Sequence, residues 1–124
     1  MGKNYGLTNT EMEIMELLWQ AEEPLPFREL IRYANEEWKK NWKKQTLNTY
    51  LNNLQRIGLV GIDKRATPHY LYYALCTKEE LIRGWTRKVV EEYFDNSISS
   101  FVMAFTGKQK LSEAEAEKLK KLLE

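Results

Sequence analysis

QTLNTYLNNLQRIGLVG, Gln45 to Gly61, is the stretch that decides the fold. At about 100° per residue, a helix gathers its large apolar residues on one side: Leu47, Tyr50, Leu51, Leu54 and Ile57. The other side carries amides, hydroxyls and one guanidinium: Gln45, Thr49, Asn52 and Arg56, flanked by Asn48 and Asn53. Such residues suit base edges and phosphates, whereas a carboxylate would repel phosphate. A plain polar surface helix is the alternative.

The charges around this stretch are segregated along the chain. Residues 1–37 hold three basic and eight acidic side chains, whereas residues 38–69 hold seven basic side chains and only Asp63. From residue 70 onward the two signs balance at nine each. The formal net charge of +1 therefore conceals a local basic region, which is typical of a polyanion-binding surface.

Composition bounds the remaining possibilities. A chain of 124 residues with 43% hydrophobic and 12% aromatic residues is expected to fold as one or two small domains. We expect neither a membrane span nor a secretion signal. One cysteine, Cys76, excludes an internal disulfide and favours a reducing, cytoplasmic setting. With a lone His69, no acid–base pair and no phosphate-cradling glycine loop, we expect no enzyme, metal or cofactor.

Two helices are predicted before the central one. Thr8 and Glu11 form a capping-box pattern, and that helix should run to about Gln20. A turn from Glu22 to Leu25 leads to a second helix from Pro26 to about Lys40. The overlapping segment WKKNWKK, residues 38–44, is either a solvated helix end or, as we favour, a phosphate clamp at the start of the third helix.

Two short β segments are predicted after the third helix. Gly58 should end that helix in a left-handed conformation. Residues 59–63 and 70–75 then form a hairpin whose basic loop is Lys64-Arg65-Ala66-Thr67-Pro68-His69. This order predicts a mainly α protein with a small two-stranded β wing, a winged helix-turn-helix in residues 1–76.

Residues 77–124 should form a helical tail. Thr77 and Glu80 make a second capping box, apolar residues follow at helical spacing as far as Phe105, and a capped helix should begin near Ser112. So many large apolar groups in so short a segment favour a twofold dimer, although the tail could instead fold back on the first 75 residues. The candidate dimerisation residues are Ile82, Trp85, Val89, Tyr93, Phe94, Phe101, Leu119 and Leu122.

Three segments together resemble the penicillinase-repressor family of bacterial transcription regulators. They are LTNTEMEIMELLW (7–19), TLNTYLNNLQRIGLV (46–60) and YLYYAL (70–75), and the resemblance covers nearly the whole chain after Tyr5. It implies an N-terminal winged helix-turn-helix, a helical dimerisation region and repression at a palindromic operator. Thr46 and Thr49 match the family's hydroxyl positions, and Arg56 its basic position.

The chain also departs from the family pattern. Asn53 stands where Arg is common, and Ala66-Thr67-Pro68 replaces a glycine-containing turn. Family members are typically inactivated when a sensor-protease pathway cuts the dimerisation region before a Phe, which implies Ala104–Phe105 as the candidate bond. Ala104 replaces the usual Asn. The paired cysteines of a copper-responsive branch are absent.

The sequence thus predicts a homodimeric transcriptional repressor that binds double-stranded DNA. The candidate DNA-binding residues are Lys39, Lys40, Lys43, Lys44, Gln45, Thr46, Asn48, Thr49, Asn52, Asn53, Arg56, Lys64 and Arg65. The alternative is a winged-helix module whose basic face docks to an acidic protein.

Overall fold

The computed structural model describes residues 5–65, 68–107 and 109–124. In chain order the described residues form helices and short strands: α1 (Asn9–Gln20), β1 (Leu25–Pro26), α2 (Phe27–Glu36), α3 (Lys44–Arg56), β2 (Val60–Asp63), β3 (Leu71–Ala74), α4 (Lys78–Tyr93), α5 (Ile98–Thr106) and α6 (Glu113–Leu123). This order confirms the predicted mainly α class with a β wing. No helix among the described residues is both long and apolar enough to span a bilayer.

The capping box of α1 is confirmed. The hydroxyl of Thr8 accepts the Glu11 N–H at 3.1 Å, and the Glu11 carboxylate accepts the Thr8 N–H at 2.9 Å. One cluster of buried side chains from the first three helices and the sheet forms the core: Ile14, Met15, Leu18, Leu30, Leu47, Leu51, Leu54, Val60 and Tyr72. The apolar side of α3 therefore packs into the core, and the polar side of α3 faces outward.

The sheet has one more strand than the sequence predicted. β3 lies in the centre, paired antiparallel to β2 on one side and to β1 on the other. Leu25 faces Tyr72 and Pro26 faces Leu71, so the predicted turn ends in a two-residue strand. Pro26 lacks an N–H and is tolerated at an edge, where it also precedes α2 as its N-cap residue.

The second helix ends earlier than predicted. It stops at Glu36, and Trp38 and the first lysines lie in the connection to α3. Lys39 and Asn41 adopt left-handed backbone angles, with φ of 56° and 57°. Two such residues cannot belong to a continuous α-helix, so the predicted extension to Lys40 was wrong.

The end of α3 is the left-handed cap that the sequence predicted. Gly58 has φ +84°. Its N–H donates to the Gln55 carbonyl at 3.0 Å, and the Leu59 N–H donates to the Leu54 carbonyl at 2.9 Å. These two bonds form a Schellman motif, which turns the chain directly from α3 into the wing.

The chain divides into two compact units, residues 5–85 and the described part of 86–124. The division falls inside α4, whereas the sequence placed the domain boundary before it. The Trp19 indole donates to the Cys76 carbonyl at 2.7 Å, and Lys78 pairs with Glu16 at 2.7 Å. Trp85 packs edge-on against Tyr5 at 5.7 Å. The first turns of α4 therefore belong to the N-terminal unit.

The C-terminal unit contains the end of α4, then α5 and α6. At the start of α4, which lies in the N-terminal unit, the predicted capping box of Thr77 and Glu80 is present, with bonds of 3.0 and 3.1 Å. The apolar residues at helical spacing up to Phe105 are divided between two helices, because α4 ends at Tyr93 and Asp95 and Asn96 then have positive φ. Ser97 caps α5, and Ser112 caps α6 as predicted.

Candidate nucleic-acid interface

The polar side of α3 is open to solvent. Leu47, Leu51 and Leu54 are buried on the opposite side of the helix. The exposed surface, here called the α3 face, consists of uncharged hydrogen-bonding side chains and one cation: Gln45, Asn48, Thr49, Asn52 and Arg56. The helix contains no acidic residue. The structure therefore brings these five predicted residues together on one surface that can donate and accept hydrogen bonds without repelling phosphate.

Two other predicted residues of α3 are half-buried. Thr46 lies in the first turn, and Asn53 lies at the edge of the α3 face. The Asn53 amide nitrogen donates to the carboxylate of Glu11, and its oxygen accepts from the guanidinium of Arg56. Both ends of this amide are therefore engaged by the protein itself.

The N-terminus of α3 is basic and lacks a side-chain cap. Lys43 is the N-cap residue, makes no side-chain capping bond, and is followed by Lys44 at the first helical position. Both lysines are exposed. The first N–H groups of a helix have no partner within the helix and carry partial positive charge. This end of α3 thus combines backbone donors with two ammonium groups, an arrangement suited to phosphate.

The connection between α2 and α3 places two further lysines differently. Lys39 is exposed. Lys40 is half-buried, and its ammonium group lies 3.3 Å from the Glu13 carboxylate. Of the four lysines in this segment, Lys40 is thus partly neutralised by a pairing that the sequence did not reveal.

Asn35 fixes this connection from the preceding helix. Its side-chain oxygen accepts the Trp42 N–H at 2.6 Å, and its amide nitrogen donates to the Trp42 carbonyl at 3.1 Å. The Trp42 ring stacks on Tyr50 of α3 at 5.3 Å between centroids and meets Trp38 edge-on at 6.2 Å. The lysine-bearing connection is therefore held by a bidentate clamp and an aromatic row.

We expect Asn35→Ala to lower the free energy of unfolding by about 1–3 kcal/mol, because the half-buried backbone of Trp42 loses both partners. Urea denaturation followed by tryptophan fluorescence measures the change. The matched control is Asn48→Ala, an exposed position expected to stay within about 0.5 kcal/mol of the parent. Equal values for the two variants would contradict the clamp.

The wing carries its cations on and beside the hairpin. Arg65 is exposed, and its side chain lies 3.0 Å from the Asp63 carboxylate, whose oxygen also accepts the Arg65 backbone N–H. These hydrogen bonds, the side-chain one first, lower the pKa of Asp63. The Lys64 ammonium lies 5.8 Å from the centre of the Tyr70 ring. The sequence predicts an unusual hairpin tip, Ala66-Thr67-Pro68, of which Ala66 and Thr67 lie outside the residues that the structure describes.

Sequence reasoning missed two residues that organise this surface, Asn35 and Glu11. Asn35 acts on a backbone seven positions away, and Glu11 meets Asn53 from another helix. The capping-box pattern identified Glu11 as a cap, but a local motif cannot reveal where the second oxygen of its carboxylate points.

These features define the class of the protein. The apolar side of α3 is buried, its polar face has no acidic residue, its N-terminus is basic, and a β hairpin follows it. This is the DNA-binding arrangement of a winged helix-turn-helix regulator. The family is identified by comparing the sequence with models of known protein families. The penicillinase repressor family model matches residues 7–124, and the chain belongs to that family of transcriptional repressors.

The chain is distantly similar in sequence to regulators of methicillin resistance. The chain is 22% identical, over 98% of its length and 95% of theirs, to the methicillin resistance regulatory protein MecI of Staphylococcus aureus (strain N315) and of Staphylococcus epidermidis. Among solved structures, a mutant of MepR from a multidrug-resistant S. aureus clinical isolate matches with a TM-score of 0.48 and 18% identity. That match covers 96% of this chain and 76% of the MepR chain.

Proposed function

We propose that this protein represses transcription as a homodimer that binds a palindromic operator. Each subunit places the α3 face in the major groove and lays its wing along the backbone. The observation that carries the proposal is the exposed, acid-free α3 face beside the uncapped basic helix start, in a chain of a repressor family. As a DNA-bound regulator, the protein would act in the cytoplasm.

The contacts divide into two kinds. Lys39, Lys43 and Lys44, with Lys64 and Arg65 of the wing, bind phosphates and fix the helix in the groove. The α3 face reads the bases: amides suit adenine, and Arg56 suits guanine where it reaches a base. Lys40 and Arg65 contribute less than the other cations, because Glu13 and Asp63 already pair with them.

The dimer interface is proposed for the C-terminal unit. Tyr93 is 71% exposed and Leu122 81% exposed, which leaves both side chains available to a second copy. Val89 is buried within the single chain, and Phe94 packs on Phe101 at 5.5 Å. Trp85 packs on Tyr5 within the same subunit. Of the predicted set, Tyr93 and Leu122 are therefore better candidates for the interface than Trp85, Val89, Phe94 and Phe101.

We also propose that the repressor is released by a sensor-protease pathway that cuts Ala104–Phe105. Both residues are exposed, and Phe105 is 80% exposed. The bond lies in the last turn of α5, which ends where the Gly107 N–H donates to the Met103 carbonyl at 2.9 Å. Mass spectrometry of the chain recovered from induced cells would show a fragment beginning at Phe105.

Selection of bound sequences from random duplex DNA tests the repressor proposal. We expect an inverted repeat whose half-sites are about 10 base pairs apart, or a multiple of that spacing. Titrations of the recovered duplex should show affinity falling steeply with salt, with a slope of about 0.9 per phosphate contacted. Recovery of no preferred sequence, with no duplex binding at low salt, would contradict the proposal and favour an acidic protein partner.

Asp63→Asn is expected to tighten operator binding about threefold and to steepen the salt slope by up to about 0.9, because Arg65 is released from the Asp63 carboxylate and its phosphate contact becomes complete. Fluorescence anisotropy at several salt concentrations measures both quantities. The control is Glu23→Gln, an exposed acid outside the wing. If the two variants behave alike, Asp63 does not restrain Arg65.

A further inference from the structure

A line of hydrogen bonds joins the start of α1 to the guanidinium of Arg56. One oxygen of Glu11 accepts the Thr8 N–H at 2.9 Å, and the other accepts the Asn53 side-chain amide. The Asn53 oxygen then accepts an N–H of Arg56. Glu11 is only 6% exposed, whereas Arg56, at the other end of the line, is exposed.

The direction of this line is fixed by chemistry. A carboxylate only accepts hydrogen bonds, so Asn53 must turn its NH2 group toward Glu11. Its oxygen consequently faces Arg56, whose guanidinium only donates. Of the five N–H donors of Arg56, this contact with Asn53 uses one.

We propose that Glu11, acting through Asn53, positions Arg56 for operator DNA. This inference rests on the proposed function and adds two positioning residues that need not touch the DNA themselves. A free arginine side chain samples many rotamers, and ordering it on binding weakens affinity. The anchored guanidinium has lost much of this freedom before the DNA arrives, so less affinity is lost on binding.

Glu11→Gln tests the proposal because it keeps the side-chain size and the capping box, which accepts either residue. Gln has only one accepting oxygen, and with that oxygen on the Thr8 N–H its NH2 group faces Asn53. The Asn53 amide must then turn over and present its own NH2 group to Arg56, where two donors meet. We expect affinity for the selected duplex to fall about threefold to tenfold.

The sign of this effect separates positioning from charge. Removing a carboxylate near DNA by itself strengthens binding, because repulsion of phosphate decreases. The control Glu16→Gln removes the same charge from the same helix, where the carboxylate pairs with Lys78 at 2.7 Å, and is expected to leave affinity unchanged or slightly higher. Positioning therefore predicts a loss of affinity for Glu11→Gln and no loss for Glu16→Gln, although the two variants have equal charge.

A double-mutant cycle with Arg56→Ala completes the experiment. Glu11→Gln should weaken binding in the parent and have no further effect once Arg56 is absent. Equal losses in both backgrounds, or tighter binding by Glu11→Gln, would overturn the proposal. Asn53→Ala replaces Glu11→Gln in the cycle if the latter does not fold, as judged from its thermal midpoint. Failure of the parent chain to bind the selected duplex would instead refute the proposed function.

Discussion

A chain with Asp in place of both Tyr93 and Leu122 is expected to sediment as a monomer and to bind the full operator at least about 100-fold more weakly. The two side chains are 71% and 81% exposed in the single subunit, so Asp disturbs the subunit fold little. In an interface the same carboxylates would be buried without partners. A monomer also loses the high effective concentration that links the two half-sites, which accounts for the loss in affinity.

Two controls make this result specific. Ala114→Asp adds one of these two negative charges on α6 without removing a large apolar group, and should remain dimeric. For a duplex with only one half-site, the double Asp variant and the parent should have affinities that agree within about twofold, since the N-terminal unit is unchanged. Persistence of the dimer would place the interface elsewhere in the chain.

Leu51→Ala is expected to lower the unfolding free energy of the N-terminal unit by about 2–5 kcal/mol. Leu51 is 0% exposed in the core cluster, and truncation leaves a cavity that neighbouring side chains fill only in part. Urea titration followed by tryptophan fluorescence reports on this unit, which contains Trp19, Trp38, Trp42 and Trp85.

Ile57→Ala is the matched control for the core variant. Ile57 caps the same helix but is 43% exposed, so its truncation should cost less than about 1 kcal/mol. A loss below about 1 kcal/mol for Leu51→Ala as well would show that the core does not depend on packing beneath α3. The α3 face would then have no rigid support.

The parts of the fold that depend on local signals could be predicted from the sequence. The capping pairs at Thr8 and Thr77 and the left-handed Gly58 each involve residues within a few positions of one another. The exposed face of α3 followed from the period of its leucines. For these elements the sequence pattern and the final packing favour the same structure.

The elements that depend on distant partners could not be predicted. The early end of α2 has no glycine or proline signal, and the connection that follows is fixed by Asn35 and an aromatic row. β1 is two residues long and exists because β3 offers it an edge. The line from Glu11 to Arg56 likewise joins residues far apart in the chain.

The position of the candidate Ala104–Phe105 bond inside α5 has a kinetic consequence. Proteases generally bind their substrates in an extended form, and a helical backbone does not offer that form. For the bond to be cut, the last turn of α5 must first unfold locally. If the turn closes again faster than the protease cuts, the rate of cleavage is proportional to the fraction of molecules in which the turn is open. Substitutions that strengthen the end of α5 should then prolong the lifetime of the intact repressor without changing its contacts with DNA.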